Sequence, residues 1–488
     1  MRRFLGLLVF LCVVIPVASP VMSAPVRTER SVVRIVNFSQ GGDWYTPWDV
    51  SEVSESSGSG FVIAGALVMT NAHVVSDSRF LFFQVNGDPE QHVAEVVYIA
   101  HDCDLALIRP VTQGVLNKLP ALRFGNLPLL GSTVDTMGYP EGGSQVSSTR
   151  GVVSRIDNRL YVHSGKDTHL ILQTDAAINP GSSGGPVLQN GKVVGVAFQV
   201  NAQLENVAYA IPVEVIKRFL HDVEDGQYDG YPELGLQTSG MENPAARSRI
   251  GLDANESGVR VDFVHRGASA EGHIHEGDVI LQVDGCKVAN DGSVTDGGVR
   301  MDFGLLIDRM QIHDTVSIRV LRAGKRLDLE IPLRDWSSIS TQGHSYDEKP
   351  RYYVYAGLVF LPLSRETMKT YGSEWQYSAD KSLLYEHYIR PFVDPESMPA
   401  ERVLLLRRLT HSVNKDMAWY RNEIVERING QKIRSLDHLV EILENHKGDY
   451  HFIEFAHYRR VAVLDRRKAE KTHHEILNRY GIQKDRNL

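Results

Sequence analysis

The chain has 488 residues, 42% hydrophobic and 23% charged, with a net charge of −8 at pH 7. At a soft ~150 residues per domain this length holds about three domains, and the acidic balance without a long basic patch speaks against nucleic acid as a partner. Three cysteines in such a chain exclude a disulfide scaffold.

In chain order, Arg2 and Arg3 precede the apolar run Phe4 to Val17, and small residues follow at Ala18, Ser19, Ser23 and Ala24. This reads as a signal peptide over residues 1–23, which makes the protein exported and periplasmic. Pro16, Ser19 and Pro20 keep the apolar stretch below the ~20 residues of a spanning helix, so no stable membrane insertion is expected after cleavage. Cys12 would leave with the signal. Cys103, a small buried residue at a strand edge, and Cys286 would then remain, in different domains.

Residues 25–225 alternate short β-rich runs with Gly, Pro and Asn turns, among them Ser31 to Phe38, Phe61 to Met69, Thr133 to Gly138 and Lys192 to Gln199. The pattern predicts a mainly β domain. Pro212 to Val223 reads as a closing helix, with Val215, Ile216, Phe219, Leu220 and Val223 on one face. Asp225 to Pro232 is a short linker. A second β-rich unit spans 232–335, with a strand and tight turn at Gly277 to Gly285 and a hairpin from Val316 to Leu333. Asn422 to Ile433 aligns without gaps on Gly277 to Val288, marking a repeat over 350–470 with an insertion at 364–399. In it Ser435 caps a helix through His446, and residues 471–488 follow as a C-terminal extension.

The chemistry concentrates in Asn179-Pro-Gly-Ser-Ser-Gly-Gly-Pro186. A serine hydroxyl is a poor nucleophile unless a base takes its proton and N–H donors are aimed at the anion formed on attack. Glycines around Ser183 permit the sharp turn this demands. His73, just past the apolar strand ending in Val68, is the candidate base. Asp104, directly before the apolar run Leu105 to Ile108, is the candidate for orienting it, with Asp102 as rival. The order is His, Asp, Ser.

Thr70 to Val75 (TNAHVV), Asp102 to Ile108 (DCDLALI) and Gln173 to Pro186 (QTDAAINPGSSGGP) resemble the Deg/HtrA family of serine proteases. Ser182 stands where that family usually has Asn. The resemblance implies two six-stranded barrels with the site in the cleft between them, and an oxyanion hole from the N–H groups of Gly181, Ser182 and Ser183. It places the primary specificity pocket at Ala177 and Ile178, with walls from Val196, Ala197 and Phe198 and from Tyr209, Ala210 and Ile211. None is charged, so cleavage after small or medium aliphatic residues is expected.

Glu233, Leu234, Gly235 and Leu236 resemble the carboxylate-binding loop of PDZ domains, and Ala356 to Phe360 occupies the equivalent place in the repeat. The fold class expected is therefore a chymotrypsin-like double β-barrel followed by two PDZ-like α+β domains, as in the two-PDZ Deg proteases best known from plants. Such a protein would be an ATP-independent endopeptidase acting on unfolded or damaged exported proteins. A peptide-binding chaperone or an anchored regulatory protease is the alternative. The family also implies a homo-oligomer, a trimer or a multiple of it. For Trp44, Tyr45 and Trp48, a trimer contact and local packing onto the barrel both stay open. No cofactor is implied. His273, His275 and Glu276, and the pair His473 and His474, lack metal-ligand spacing, so no metal is expected.

Overall fold

Twelve strands close into two barrels in the computed structural model, which describes residues 28–200, 207–253, 255–336, 343–372, 374–394, 397–457 and 461–488. The signal-peptide reading lies outside the described residues. The first barrel comprises β1 (Val32–Ser39), β2 (Ser54–Ile63), β3 (Leu67–Thr70), β4 (Ser78–Val85), β5 (His92–Ala100) and β6 (Leu105–Pro110), in spatial order β1-β2-β3-β6-β5-β4. The second comprises β7 (Thr133–Gly138), β8 (Ser147–Leu160), β9 (Thr168–Thr174), β10 (Pro186–Gln189), β11 (Lys192–Val200) and β12 (Ala208–Pro212), in order β10-β11-β12-β9-β8-β7.

Side chains alternate across a strand, and here both faces are used. Val33, Ile35, Val68, Ala106 and Ile108 fill the first barrel. Their neighbours Val32, Phe61, Met69, Leu105 and Leu107 face the seam, where they meet Tyr139, Tyr161, Leu188 and Phe219. Near-continuous apolar runs in β3 and β6 follow from this double burial.

The closing helix, Val213–Asp222, starts at Pro212 and buries Val215, Ile216 and Phe219 against the seam. Its Arg218 pairs with Asp222 at 2.6 Å, donates to the Gly230 carbonyl and lies 4.0 Å from the centroid of Tyr231. These contacts fasten the linker to the barrel.

Beyond the linker, the first α+β unit has a sheet running Leu236–Gly240, Val259–Val264, Val279–Val283, Thr315–Arg322, Lys325–Pro332, with Leu236–Gly240 on an edge. The second unit repeats this order in Leu358–Pro362, Val403–Arg408, Glu423–Ile428, Tyr450–Phe455 and Val461–Asp465. The sequence repeat extends to backbone geometry: Asp284 and Gly285 both have positive φ, and so do Asn429 and Gly430.

One difference separates the units. In the second, the strand matching the free edge is paired by Tyr352–Tyr355, with Tyr353 opposite Phe360 and Tyr355 opposite Leu358. Tyr353 and Tyr355 share a core with Leu436, Leu439, Val440 and Leu443 of the helix Leu436–Asn445. The chain's own strand therefore fills the groove between sheet edge and helix. Residues 471–488, read as an extension, are woven in as well: the helix Arg466–Arg479 buries Ile476 and Leu477, and Arg486–Asn487 pairs with Tyr352 and Tyr353.

The second unit also receives residues from the N-terminal segment. Trp44 and Trp48 rest on the second unit's core, with Trp48 6.3 Å from Tyr352 and the Arg407 guanidinium 4.2 Å from the Tyr45 centroid. The insertion at 364–399 touches the second barrel. Its helix Arg365–Lys369, capped by Ser364, sends Arg365 to the Gly165 carbonyl at 2.9 Å.

Candidate active site

His73 lies in a one-turn helix, Ala72–Val75, directly after β3, and Asp104 directly precedes β6, the neighbour of β3 in the barrel. Adjacent strand ends bring the two together. The Asp104 carboxylate accepts from the His73 backbone N–H at 2.9 Å through Oδ1, and lies 2.7 Å from His73 Nδ1 through Oδ2. Both carboxylate oxygens are thus spent on one residue, which fixes ring position and tautomer together. Asp104 has φ 53°, a left-handed conformation that aspartate tolerates better than most residues. Asn71 Nδ2 holds its carbonyl at 2.9 Å. The rival Asp102 is engaged elsewhere, accepting from the Tyr228 hydroxyl at 2.5 Å.

Burial opposes ionisation of Asp104, which is 1% exposed, but the charge and hydrogen bond of His73, with His163 nearby, hold its carboxyl below the usual range. Burial likewise disfavours the His73 imidazolium. The Asp104 charge and hydrogen bond outweigh it and raise His73 above its ordinary value. An imidazole stabilised in its protonated form is what a general base needs at the moment it accepts a proton.

Ser183 sits on the loop before β10, packed against the first barrel. Ser59 of β2 pins this loop three ways: its hydroxyl donates to the Gly181 carbonyl at 2.7 Å and accepts from Tyr139 N–H at 2.8 Å, and its N–H donates to the Ser183 carbonyl at 2.7 Å. Gly184 has φ +84°, and a Cβ there would come within 2.1 Å of the Ser59 carbonyl oxygen, so only glycine fits. The Ser183 hydroxyl donates to the Phe198 carbonyl at 3.3 Å. Among the described residues no hydrogen bond joins it to His73.

The N–H groups of Gly181 and Ser183 make no hydrogen bond among the described residues. That of Ser182 donates to the Asn179 carbonyl at 2.9 Å, which corrects its place among the oxyanion donors. The pocket expectation is corrected in the same way. Ile178, Ala197 and Ala210 cluster together with Ala208 inside the second barrel. Val196, Phe198, Tyr209 and Ile211 point to the opposite side and belong to the seam core. Strand alternation forbids consecutive residues from lining one pocket. Ala177 is exposed, its carbonyl accepting from Thr149 Oγ1 at 2.7 Å.

In the first α+β unit, Glu233, Leu234, Gly235 and Leu236 line an open cavity of about 500 Å³ together with His265, Phe303, Ile307 and Trp336. The carbonyls of Glu233, Leu234 and Gly235 accept from Ser269, Ala270 and His265, which shapes the loop. Gly235 has φ +66°, with a Cβ position 2.1 Å from that of Ala268. Burial pushes the Glu233 carboxyl up to about 7, against the charge of Lys166. Asn71 and Ser59 went unseen in the sequence. Asn71 adjoins the His73 motif, but Tyr139 and Gly181, which the Ser59 hydroxyl joins, lie 80 and 122 residues away and leave no local signal.

Comparison with known proteins agrees with this architecture. Residues 58–196 match the family model of the trypsin-like peptidase domain, and residues 341–487 match that of the PDZ domain. Protease Do-like 4, mitochondrial, of Arabidopsis thaliana is 35% identical over 85% of this chain and 77% of its own length. Protease Do-like 2, chloroplastic, of the same plant is 34% identical over 94% and 74% respectively. A solved structure of the HtrA-type protease AlgW with tripeptide, 24% identical, superposes with a TM-score of 0.50 over 64% of this chain and 96% of its own, a likeness of fold. With two barrels, matches to both family models and relatives at this level across most of its length, the chain belongs to the Do-like, or Deg/HtrA, family of PDZ-containing serine proteases and is a serine endopeptidase.

Proposed function

We propose that Ser183 is the nucleophile, His73 its general base and Asp104 the residue that orients and charges His73. The observation carrying this reading is the two-pronged hold of Asp104 on His73, at 2.7 and 2.9 Å, opposite the loop that Ser59 fixes around Ser183. Attack requires the Ser183 hydroxyl to turn from the Phe198 carbonyl toward His73, a rotation about χ1. The Gly181 and Ser183 N–H groups then receive the oxyanion. The proton taken by His73 passes to the leaving amine, and water repeats the sequence to free the acyl group.

The substrates in this reading are unfolded or damaged proteins, degraded without ATP and cut after small or medium aliphatic residues. The first PDZ domain receives C-terminal or extended peptides against its free edge, Leu236–Gly240. Self-association uses Phe38, Phe80 and Phe82, whose rings lie 6.0 to 6.3 Å apart on the first barrel with Phe80 47% exposed. Residues 1–23 act as an export leader, and the periplasm is the destination.

Unfolded casein provides the test. Wild type is expected to degrade it and to label at Ser183 with a fluorophosphonate, and Ser183→Ala to do neither; degradation by Ser183→Ala rules the assignment out. Mass spectrometry of the mature N-terminus checks the leader, and light scattering on Phe80→Ala checks the oligomer face.

A further inference from the structure

Two turns from different barrels meet beside the reacting groups. His101 follows β5 and His163 follows β8; His163 Nε2 lies 2.9 Å from His101 Nδ1, and the His163 ring is 6.1 Å from that of His73. The pair spans the cleft between the barrels. Burial pushes His163 down to about 3 against the charge of Asp104, leaving a neutral ring whose face suits stacking.

On this pair lies a residue from the segment between the PDZ domains. The Tyr346 ring stacks on His163 with centroids 4.0 Å apart and planes at 19°, and on His101 at 5.1 Å and 24°. Its hydroxyl donates to the His163 carbonyl at 2.9 Å. Asp347 secures the segment: Oδ2 is 3.0 Å from His101 Nε2, its N–H donates to Asp77 Oδ1 at 2.8 Å, and its Oδ1 accepts from Asp77 N–H at 2.6 Å. His344 N–H donates to the Ser164 carbonyl at 2.9 Å. Tyr346 itself is held by ring faces and one hydroxyl bond, a mode open to any aromatic side chain laid along the cleft.

We propose that His101 and His163 form a side-chain subsite beside the catalytic histidine that takes an aromatic residue of the substrate, and that Tyr346 fills it here in the substrate's stead. This rests on the reading of Ser183, His73 and Asp104 as the reacting centre. A substrate with a well-placed aromatic residue competes with Tyr346 for the same two rings. Binding it therefore lifts the segment 343–350 off the cleft.

Two peptides differing only by Phe or Ala at successive positions around the scissile bond test this on the full chain. Tyr346→Ala is expected to raise kcat/KM several-fold through KM, Tyr346→Phe to stay near wild type, and His163→Ala to erase the preference for Phe. An unchanged kcat/KM in Tyr346→Ala at intact melting temperature, or a Phe preference undiminished in His163→Ala, overturns the proposal. Hydrogen–deuterium exchange on Ser183→Ala decides the matter independently of turnover. The Phe peptide should speed exchange in 343–350 more than the Ala peptide, and equal exchange overturns the subsite. Failure of the catalytic reading looks different, since wild type would then neither cleave nor label.

Discussion

The two barrels contribute unequal halves to the site. The first supplies His73 and Asp104 already locked, both carboxylate oxygens of the aspartate used and Asn71 behind it. The second supplies a serine on a loop with rigid edges, whose hydroxyl nevertheless bonds to the Phe198 carbonyl. A base that must hold one tautomer gains from early fixing. A nucleophile that must meet substrate, base and oxyanion donors in turn gains from a single free rotor. Preorganisation is thus divided, with the electrostatics set in advance and the last alignment left to binding.

The largest blow to this contrast comes through the locked half. Asp104→Asn preserves shape but presents an N–H to the ring, and kcat should fall on the order of 10⁴-fold, the scale known for the wrong imidazole tautomer. Its pH profile sharpens the point. In the wild type, kcat/KM should climb with pH as His73 loses its proton at a value raised above the ordinary 6.5. With Asp104 replaced, burial acts unopposed and the midpoint should move below that value.

Ser59→Ala strikes the movable half. It frees the Gly181 carbonyl and the Tyr139 N–H, and a loop shift near 1 Å would lower kcat by roughly 10² with KM little changed. Asn71→Ala is milder. It removes a buried donor to the Asp104 carbonyl, and denaturant unfolding should show a loss of roughly 1–3 kcal/mol.

The smallest effect is on pH-dependent stability. The raised His73 contributes stability that is complete below 6.5 and fades as pH rises through its folded value. The depressed Asp104 contributes above 3.8 and fades as pH falls through its own. The stability difference between wild type and Asp104→Asn should therefore be greatest in the window between those limits. A flat difference from pH 3 to 9 would show the pair to be energetically idle.

Much of this was legible in the sequence because it is local. A histidine after one strand and an aspartate before its neighbour converge through barrel pairing alone, and the Asp284-Gly285 and Asn429-Gly430 turns declare the repeat. What escaped depends on distant partners or on facing. Trp48, for which the sequence offers a trimer contact or packing onto the barrel, instead meets Tyr352 of the second PDZ domain. Val196, Ala197 and Phe198 cannot share a pocket once alternation is imposed, a rule available from sequence but overridden by analogy. Tyr352–Tyr355 looks like any apolar strand, and only its pairing with Leu358–Pro362 reveals that it fills a groove.

That filled groove has a thermodynamic consequence. A segment joined to its site by the two-residue turn at Ala356 and Gly357 acts at an effective concentration in the millimolar range or above. A free peptide, present at micromolar levels, cannot displace it by mass action. The second domain is saturated by construction, and of the two matching sheet edges the one left unpaired among the described residues is Leu236–Gly240 of the first.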